Sequence, residues 1–508
     1  MNRRERVFLL ALVAGLAIVV MVGCGSNTSQ SPPPATSNAP PGALVVFGND
    51  APICNVESFS VLITTAALVL QGGNTSVPII SSPATVDFAR LVDFTTILAT
   101  ASVQPGTYDR LQLTLTTPQL TVLEVPPGSP AGTPMSPVAL STTFSNGSTT
   151  DSLTININPA LTIGSSATAG LVVDFNLRQS VLTDSNGQVT GVVGPQFTAT
   201  PSVASGGQLG EADTLYGVVV TPTTACTTIS GSVGCFSLQV QGGVGQTYTI
   251  QVTSTTDFEG DGVSGLSGTA ALKALAAGTF VEVDAIVDTS GNIIAQEVDA
   301  EAAVAASNQG AGFLGEVIGV TRDTSGNATQ FNLLVDHETR DVSSDVPLRS
   351  SLTVTLQKTT LYWTNWHRWN RQALQFGPQT LGLAEEVAVF GTLQAGSPPS
   401  LTAEFVFLRQ RNVLGNFTSL LAAGSDDKTG GFTLVPCGPL FAGQPITVLT
   451  FGDTRFRGVA GLNELTTKPT LNTSGLLFYE QTNGPANQPT WTAPTWVMQA
   501  KTVRQLPQ

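Results

Sequence analysis

The sequence predicts an all-β protein: an N-terminal antiparallel β-sandwich, Ig-like or prealbumin-like, followed by three small β-barrel-like repeat modules. Three observations carry that prediction. From Ala43 onward, short runs rich in Val, Ile, Thr, Leu and Phe are punctuated closely by Gly, Pro, Asn and Ser, the pattern of short strands joined by tight turns. In Leu111-Gln112-Leu113-Thr114-Leu115-Thr116 apolar and polar residues alternate with period two, as in a half-buried strand. Beyond residue 213 one order of runs recurs three times, which marks tandem copies of a single unit.

Composition narrows the function. Of 508 residues only 11% are charged, and 21 Lys and Arg face 35 Asp and Glu for a net charge of -14. A nucleic-acid binder needs a basic face to displace counterions from phosphates, so nucleic acid is excluded as a partner. Two histidines exclude a His-rich metal site. Hydrophobic residues at 41% are enough to build cores.

The first 23 residues read as an address. Arg3, Arg4 and Arg6 precede an apolar run from Val7 to Val22, the layout of a secretory signal. Met21-Val22-Gly23-Cys24 resembles the lipobox of bacterial lipoproteins, although Met21 departs from the usual Leu. The resemblance implies cleavage before Cys24, lipidation of Cys24, and a membrane partner reached through that anchor. Gly25 and Ser26 stand where inner-membrane lipoproteins usually carry Asp, so the resemblance implies the outer membrane. Residues 24–42 are rich in Ser and Pro and lack charge, and they read as a disordered tether.

Residues 43–204 form the expected sandwich, with strands at Ala43–Phe47, Ser58–Leu70, Tyr108–Leu115, Leu153–Ile157, Gly170–Phe175 and Gln196–Thr200. Thr85–Thr100 carries loosely helical apolar spacing at Phe88, Leu91, Val92 and Phe94, which predicts a short helix or loop capping one end. Phe47-Gly48-Asn49-Asp50-Ala51-Pro52, Thr85-Val86-Asp87-Phe88, Val103-Gln104-Pro105-Gly106-Thr107-Tyr108 and Leu171-Val172-Val173-Asp174-Phe175 follow in order. With these motifs the segment resembles domain-of-unknown-function family 4382 of bacterial envelope lipoproteins. That resemblance implies an all-β sandwich and brings no catalytic residues.

The three modules are expected at 213–302, 312–411 and 413–508. Each opens on a similar strand, containing Tyr216-Gly217, Leu314-Gly315 or Leu414-Gly415. Each later reaches a Thr-x-aromatic step: Thr256-Asp257-Phe258, Thr360-Leu361-Tyr362 and Thr454-Arg455-Phe456. Gln246-Thr247-Tyr248-Thr249-Ile250 and Gly278-Thr279-Phe280-Val281-Glu282-Val283 make the first module resemble domain-of-unknown-function family 5666, a small β-barrel. Ala302–Ala311 reads as a linker between copies.

Chemical motifs are sparse. Gly260-Asp261-Gly262-Val263-Ser264-Gly265 spells a dinucleotide fingerprint, but its flanks read as antiparallel β. Asp257, Glu259 and Asp261 would also repel a pyrophosphate, so the glycines are read as turn residues. Asp257, Glu259, Asp261 and Gly262 half-match a calcium loop, yet Gly268 stands where the loop needs Glu, and an exposed acidic turn is expected. There is no GxSxG and no phosphate-binding loop. His337 and His367 lack an evident nucleophile. Asp87, Asp93, Asp109 and Asp174 are read as solvated acids or turn caps rather than a glycosidase pair. No catalytic residue, metal or cofactor is assigned.

An exported chain meets an oxidising compartment. Cys226 and Cys235 flank a Gly/Ser-rich turn and are expected to form a disulfide, whereas the state of Cys54 and Cys437 stays open, a buried free thiol being the default for each. The candidate binding surface is the stretch with Tyr362, Trp363, Trp366, Arg368, Trp369 and Arg371, since a turn needs no aromatics. Three readings stay open there: rings capping a barrel end, a platform for a glycan or envelope protein, and contact with a membrane interface. Together these features predict a lipid-anchored outer-membrane protein with a structural or binding role, not an enzyme. A carbohydrate- or polymer-binding lipoprotein and an envelope hydrolase are the alternatives.

Overall fold

The computed structural model describes residues 39–506, apart from 51–52, 55, 92–94, 125–134, 186, 224–225, 227–228, 241–246, 261, 301–309, 339–345, 365–373, 395, 397, 466–469 and 485–490. These residues are overwhelmingly strand, so the chain is all-β as its composition predicts. Cys24, most of the expected tether and nearly all of the expected linker lie outside the described residues, and Gly42, expected as the tether's last residue, opens the first strand. No helix among the described residues is long and apolar enough to cross a membrane.

The sandwich is built around two long strands, Ser58–Leu70 and Gly106–Glu124, which pair antiparallel. Gly106–Glu124 then pairs with Thr150–Ile163, which leads through Phe197–Pro201 and Thr168–Phe175 to Gly42–Asp50 and Thr96–Val103. The ladder is mixed rather than wholly antiparallel. Gly42–Asp50 lies parallel to Thr168–Phe175. Among the described residues of Thr85–Thr100, which leave out Val92 and Phe94, no α-helix forms: Ala84–Asp87 and Thr96–Val103 are strands, and Phe88–Arg90 is a 3-10 turn. Each finds a partner edge, so ladder hydrogen bonds override the weak helical spacing.

The family-like motifs become core and corner. Phe88 and Phe175 stack with Phe59 at the centre, with centroids 4.6 Å and 5.3 Å apart for the pairs with Phe175. All three rings are fully buried, and each contributes roughly 1.5–3 kcal/mol by leaving water. The Tyr108 hydroxyl donates to the carbonyl of Gln104 at 2.7 Å, tying the strand start to its own turn in the manner of a tyrosine corner.

The three modules are copies of one closed barrel. In the first, the sheet runs Thr247–Thr253, Ser232–Val240, Gln208–Thr223, Phe280–Asp288, Ile293–Ala300 and Asp257–Gly260. It closes where Ile250 and Gln251 pair parallel with Ile293 and Ile294. The second closes through Thr353–Leu356 against Ser400–Ala403, and the third through Ile446–Leu449 against Trp496–Gln499. Closure removes exposed edges. One 24-residue strand, Ser400–Ala423, is the last strand of the second barrel and the first of the third.

The Thr of each Thr-x-aromatic step holds the closure. Oγ1 of Thr256, Thr360 and Thr454 donates to the carbonyl of Ala295, Ala403 and Ala500 at 2.8, 2.8 and 2.9 Å. The same oxygen accepts from the amide of the residue three before it, Thr253, Gln357 or Phe451, at 2.9, 2.8 and 2.9 Å. All three threonines are buried. The recurrent glycine has a matching role: a Cβ at Gly217, Gly315 or Gly415 would run into the carbonyl of Gln239, Leu334 or Val435 on the adjacent strand.

Both disulfides are present. Cys226 joins Cys235 within the first module. Cys54 joins Cys437, so the free-thiol default is corrected. The reason is tertiary: the sandwich entry and the third barrel are neighbours in space although 383 positions separate the cysteines.

Two predictions follow from these contacts. Thr256→Val, Thr360→Val and Thr454→Val should each lower unfolding free energy by about 1–3 kcal/mol in denaturant melts, since a buried carbonyl and amide lose their shared partner; the Ser variants, which keep the hydroxyl, should lose less. The Cys54→Ser/Cys437→Ser variant should lose up to about 5 kcal/mol and the Cys226→Ser/Cys235→Ser variant about 2–3 kcal/mol, because the longer loop restricts the unfolded chain more.

Candidate functional site

The expected aromatic surface divides. Trp366, Arg368, Trp369 and Arg371 lie outside the described residues. Tyr362 and Trp363 sit on the strand Ser351–Thr364, where successive side chains point to opposite faces. Tyr362 points inward, packs on the second barrel's core and meets Phe376 edge-on at 5.7 Å. Burial pushes its hydroxyl up to about 12. Tyr362 is therefore half-buried against the barrel core, the side on which its repeat equivalent Phe258 is fully buried. Trp363 points outward and is 43% exposed, two residues from Leu361 at 53%.

The acidic turn is corrected as well. Glu259 is buried, on the strand Asp257–Gly260 that pairs parallel with Ile293–Ala300. Glu259, Glu297 and Asp299 bring carboxylate oxygens within 4.8 Å of one another, a set that could offer three ligands to a metal ion. A cation is already beside them: Arg409 lies 3.8 Å from Asp299 and pairs with Glu282. Gly260, Gly262 and Gly265 all have positive φ, as turn glycines do. Among the sandwich acids, Asp87 is buried rather than solvated and caps the 3-10 turn through the amide of Ala89. Asp109 pairs with Arg110 at 3.2 Å, and burial raises the carboxyl of Asp174.

Separate polar contacts join all four domains. Arg349 of the second module reaches the sandwich, donating to Asp87 at 2.5 Å and to Ser58 at 2.6 Å, while it holds the Asp336 carbonyl of its own module at 2.8 Å. Tyr248 of the first module donates to the Ile97 carbonyl of the sandwich at 3.1 Å. Lys501 of the third module pairs with Asp284 of the first at 3.0 Å.

At the centre stands the middle of the shared strand. Val406 and Leu408 enter the second barrel's core. The opposite face carries Phe407, packed with Phe280 of the first module and Leu314, and then Arg409 and Arg411. Arg409 is buried, pairs with Glu282 and lies 5.8 Å from the Tyr216 ring. Burial draws its guanidinium below the ordinary value. Arg411 pairs with Glu316 and stands 5.6 Å from the Phe441 ring of the third module. Sequence reasoning missed both arginines, although two cations within an apolar run of a cation-poor chain are a signal of buried pairing.

Beside Arg411 lies a cavity of about 150 Å³. The sandwich supplies Ile53, Val56, Glu57 and the Cys54–Cys437 bridge, and the modules supply Tyr216, Glu316, His337, Glu386, Asn412 and Asn472. His337 thus finds a setting that its sequence neighbours gave no hint of, with its ring 5.6 Å from that of Tyr216.

Comparison with known proteins agrees with the motif reading. No curated protein matches the chain. Residues 42–190 match the family described as domain of unknown function DUF4382, and residues 228–299 match that described as domain of unknown function DUF5666. The first match covers most of the sandwich, and the second covers the first barrel from its second strand onward.

Proposed function

We propose that this chain is a non-catalytic scaffold of the cell envelope, lipid-anchored to the outer membrane through Cys24 and held off the bilayer by the tether. The observation that carries the reading is the cross-linking of the domains: a disulfide joins the sandwich to the last barrel, and buried ion pairs tie the modules to one another. A chain that presented independent binding modules would gain from flexible linkers, whereas this arrangement favours a fixed shape. In the native host, loss of the chain should raise sensitivity to detergent, and the wild-type chain should reverse it. Cys24→Ala should yield an uncleaved or unanchored chain that does not. Full rescue by Cys24→Ala would remove the anchored scaffold.

A second reading, binding of a glycan or envelope polymer, is favoured by the outward Trp363 beside Leu361. Flat rings stack on sugar faces. Trp363→Ala should then abolish retention on envelope polysaccharide while changing stability by less than about 1 kcal/mol, as at exposed sites. Unchanged retention would remove this reading.

A further inference from the structure

We propose that an open groove on the sandwich binds a neutral oligosaccharide, at a place separate from Trp363. The groove lies where Thr150–Ile163 and Phe197–Pro201 run side by side, and it holds about 500 Å³. Sites for small organic ligands span about 300–1,000 Å³. The two strands register only at Ile157 and Ala199, so the sheet opens on either side of that pair.

Strand alternation decides which side chains face the groove. Ile155, Ile157 and Ala199 turn into the sandwich core. That leaves Thr154, Asn156 and Asn158 exposed along one strand, and Gln196, Thr198 and Thr200 exposed along the other. The Ile157–Ala199 pair sets Asn156 beside Thr198 and Asn158 beside Thr200. The side chains of Asn156, Asn158, Thr198 and Thr200 make no hydrogen bond among the described residues. An Asn amide and a Thr hydroxyl each donate and accept. A sugar hydroxyl does both as well, so the two rows can meet the hydroxyls of a ring with neither side left unsatisfied. Leu153 and Phe197, both half-buried, add apolar surface for its C–H groups.

Charge selects the class of ligand. None of the residues lining the groove is titratable. On the flanking strands, Arg110 stands in register with Asn156 and Asp174 with Thr198, two charges of opposite sign. Arg110 is already paired with Asp109 at 3.2 Å. A charged ligand would lose hydration here with no countercharge to receive it, and the chain's net charge of -14 opposes anionic polymers. A neutral ligand meets neither penalty. An extended peptide adds to a sheet at a free edge, and this is not one: Gly106–Glu124 and Thr168–Phe175 flank the two strands. Elsewhere the sandwich surface is covered, with Val45, Phe47 and Ile97 packed into the first module's core.

The experiment is isothermal titration of the detergent-solubilised full chain with hexasaccharides that differ in charge. Cellohexaose, maltohexaose and mannohexaose are the neutral probes, hexagalacturonate the anionic one and hexaglucosamine the cationic one, with an uncharged Ser/Thr peptide of similar length beside them. At least one neutral sugar should bind saturably, and the charged sugars and the peptide at least about tenfold more weakly. Asn156→Ala/Thr198→Ala should weaken that binding by about tenfold or more without moving the melting temperature, since it removes two hydrogen-bonding side chains from an exposed face. Binding in the groove should persist in Trp363→Ala, which separates it from any site at that ring. No saturable binding of a neutral sugar, equal or tighter binding of a charged sugar or of the peptide, or an unchanged affinity in the folded double variant would overturn the proposal.

Discussion

A buried guanidinium constrains how this molecule is assembled. Arg409 sits in the middle of a strand covered on both faces, and a charge there is tolerated only when acids and hydrogen bonds surround it. Glu282 comes from the first module, as does Asp299 at 3.8 Å. Removing one partner of such a pair costs about 3–5 kcal/mol, so the first and second modules are bound to a single relative placement. Arg411, two residues on, faces Glu316 and Phe441 and extends the same constraint to the third barrel.

Beneath that constraint lies a simpler repeated device. Each barrel is a run of strands that would leave two open edges. A parallel pairing between its third strand and its last closes it, and one buried Thr hydroxyl fastens the closure. With the barrels closed, the outer faces of their strands become free to meet other domains. This is why Phe280, Leu314 and Phe407 form an apolar seam between modules instead of a barrel interior. The shared strand Ser400–Ala423 then replaces a linker with continuous ladder, so the second and third barrels have no hinge at that point.

The parts legible in the sequence were those with local causes. Alternation and turn residues marked the strands, and the threefold recurrence of Gly in the first strand and of Thr before the aromatic marked the barrels. The Gly/Ser-rich turn brought Cys226 and Cys235 together. What stayed hidden was set by contacts across long separations. Cys54 and Cys437 carry no local mark of each other, and neither do Arg349 and Asp87. Glu259 looked like a turn acid because nothing in Asp257–Gly260 announces its parallel partner strand. Tyr362 and Trp363 were grouped by composition, although strand alternation places one inside and the other outside. The junction cavity is the extreme case, since its residues come from four domains.

The central claim is that the sandwich and the three barrels act as one body, and scanning calorimetry of the full chain tests it most directly. If the cross-links couple the domains, the chain melts in a single transition whose calorimetric and van't Hoff enthalpies agree, the signature of all-or-none unfolding. Replacing Arg409 with Ala would then split that transition. Separate, well-resolved transitions for sandwich and barrels in the wild-type chain would contradict the account.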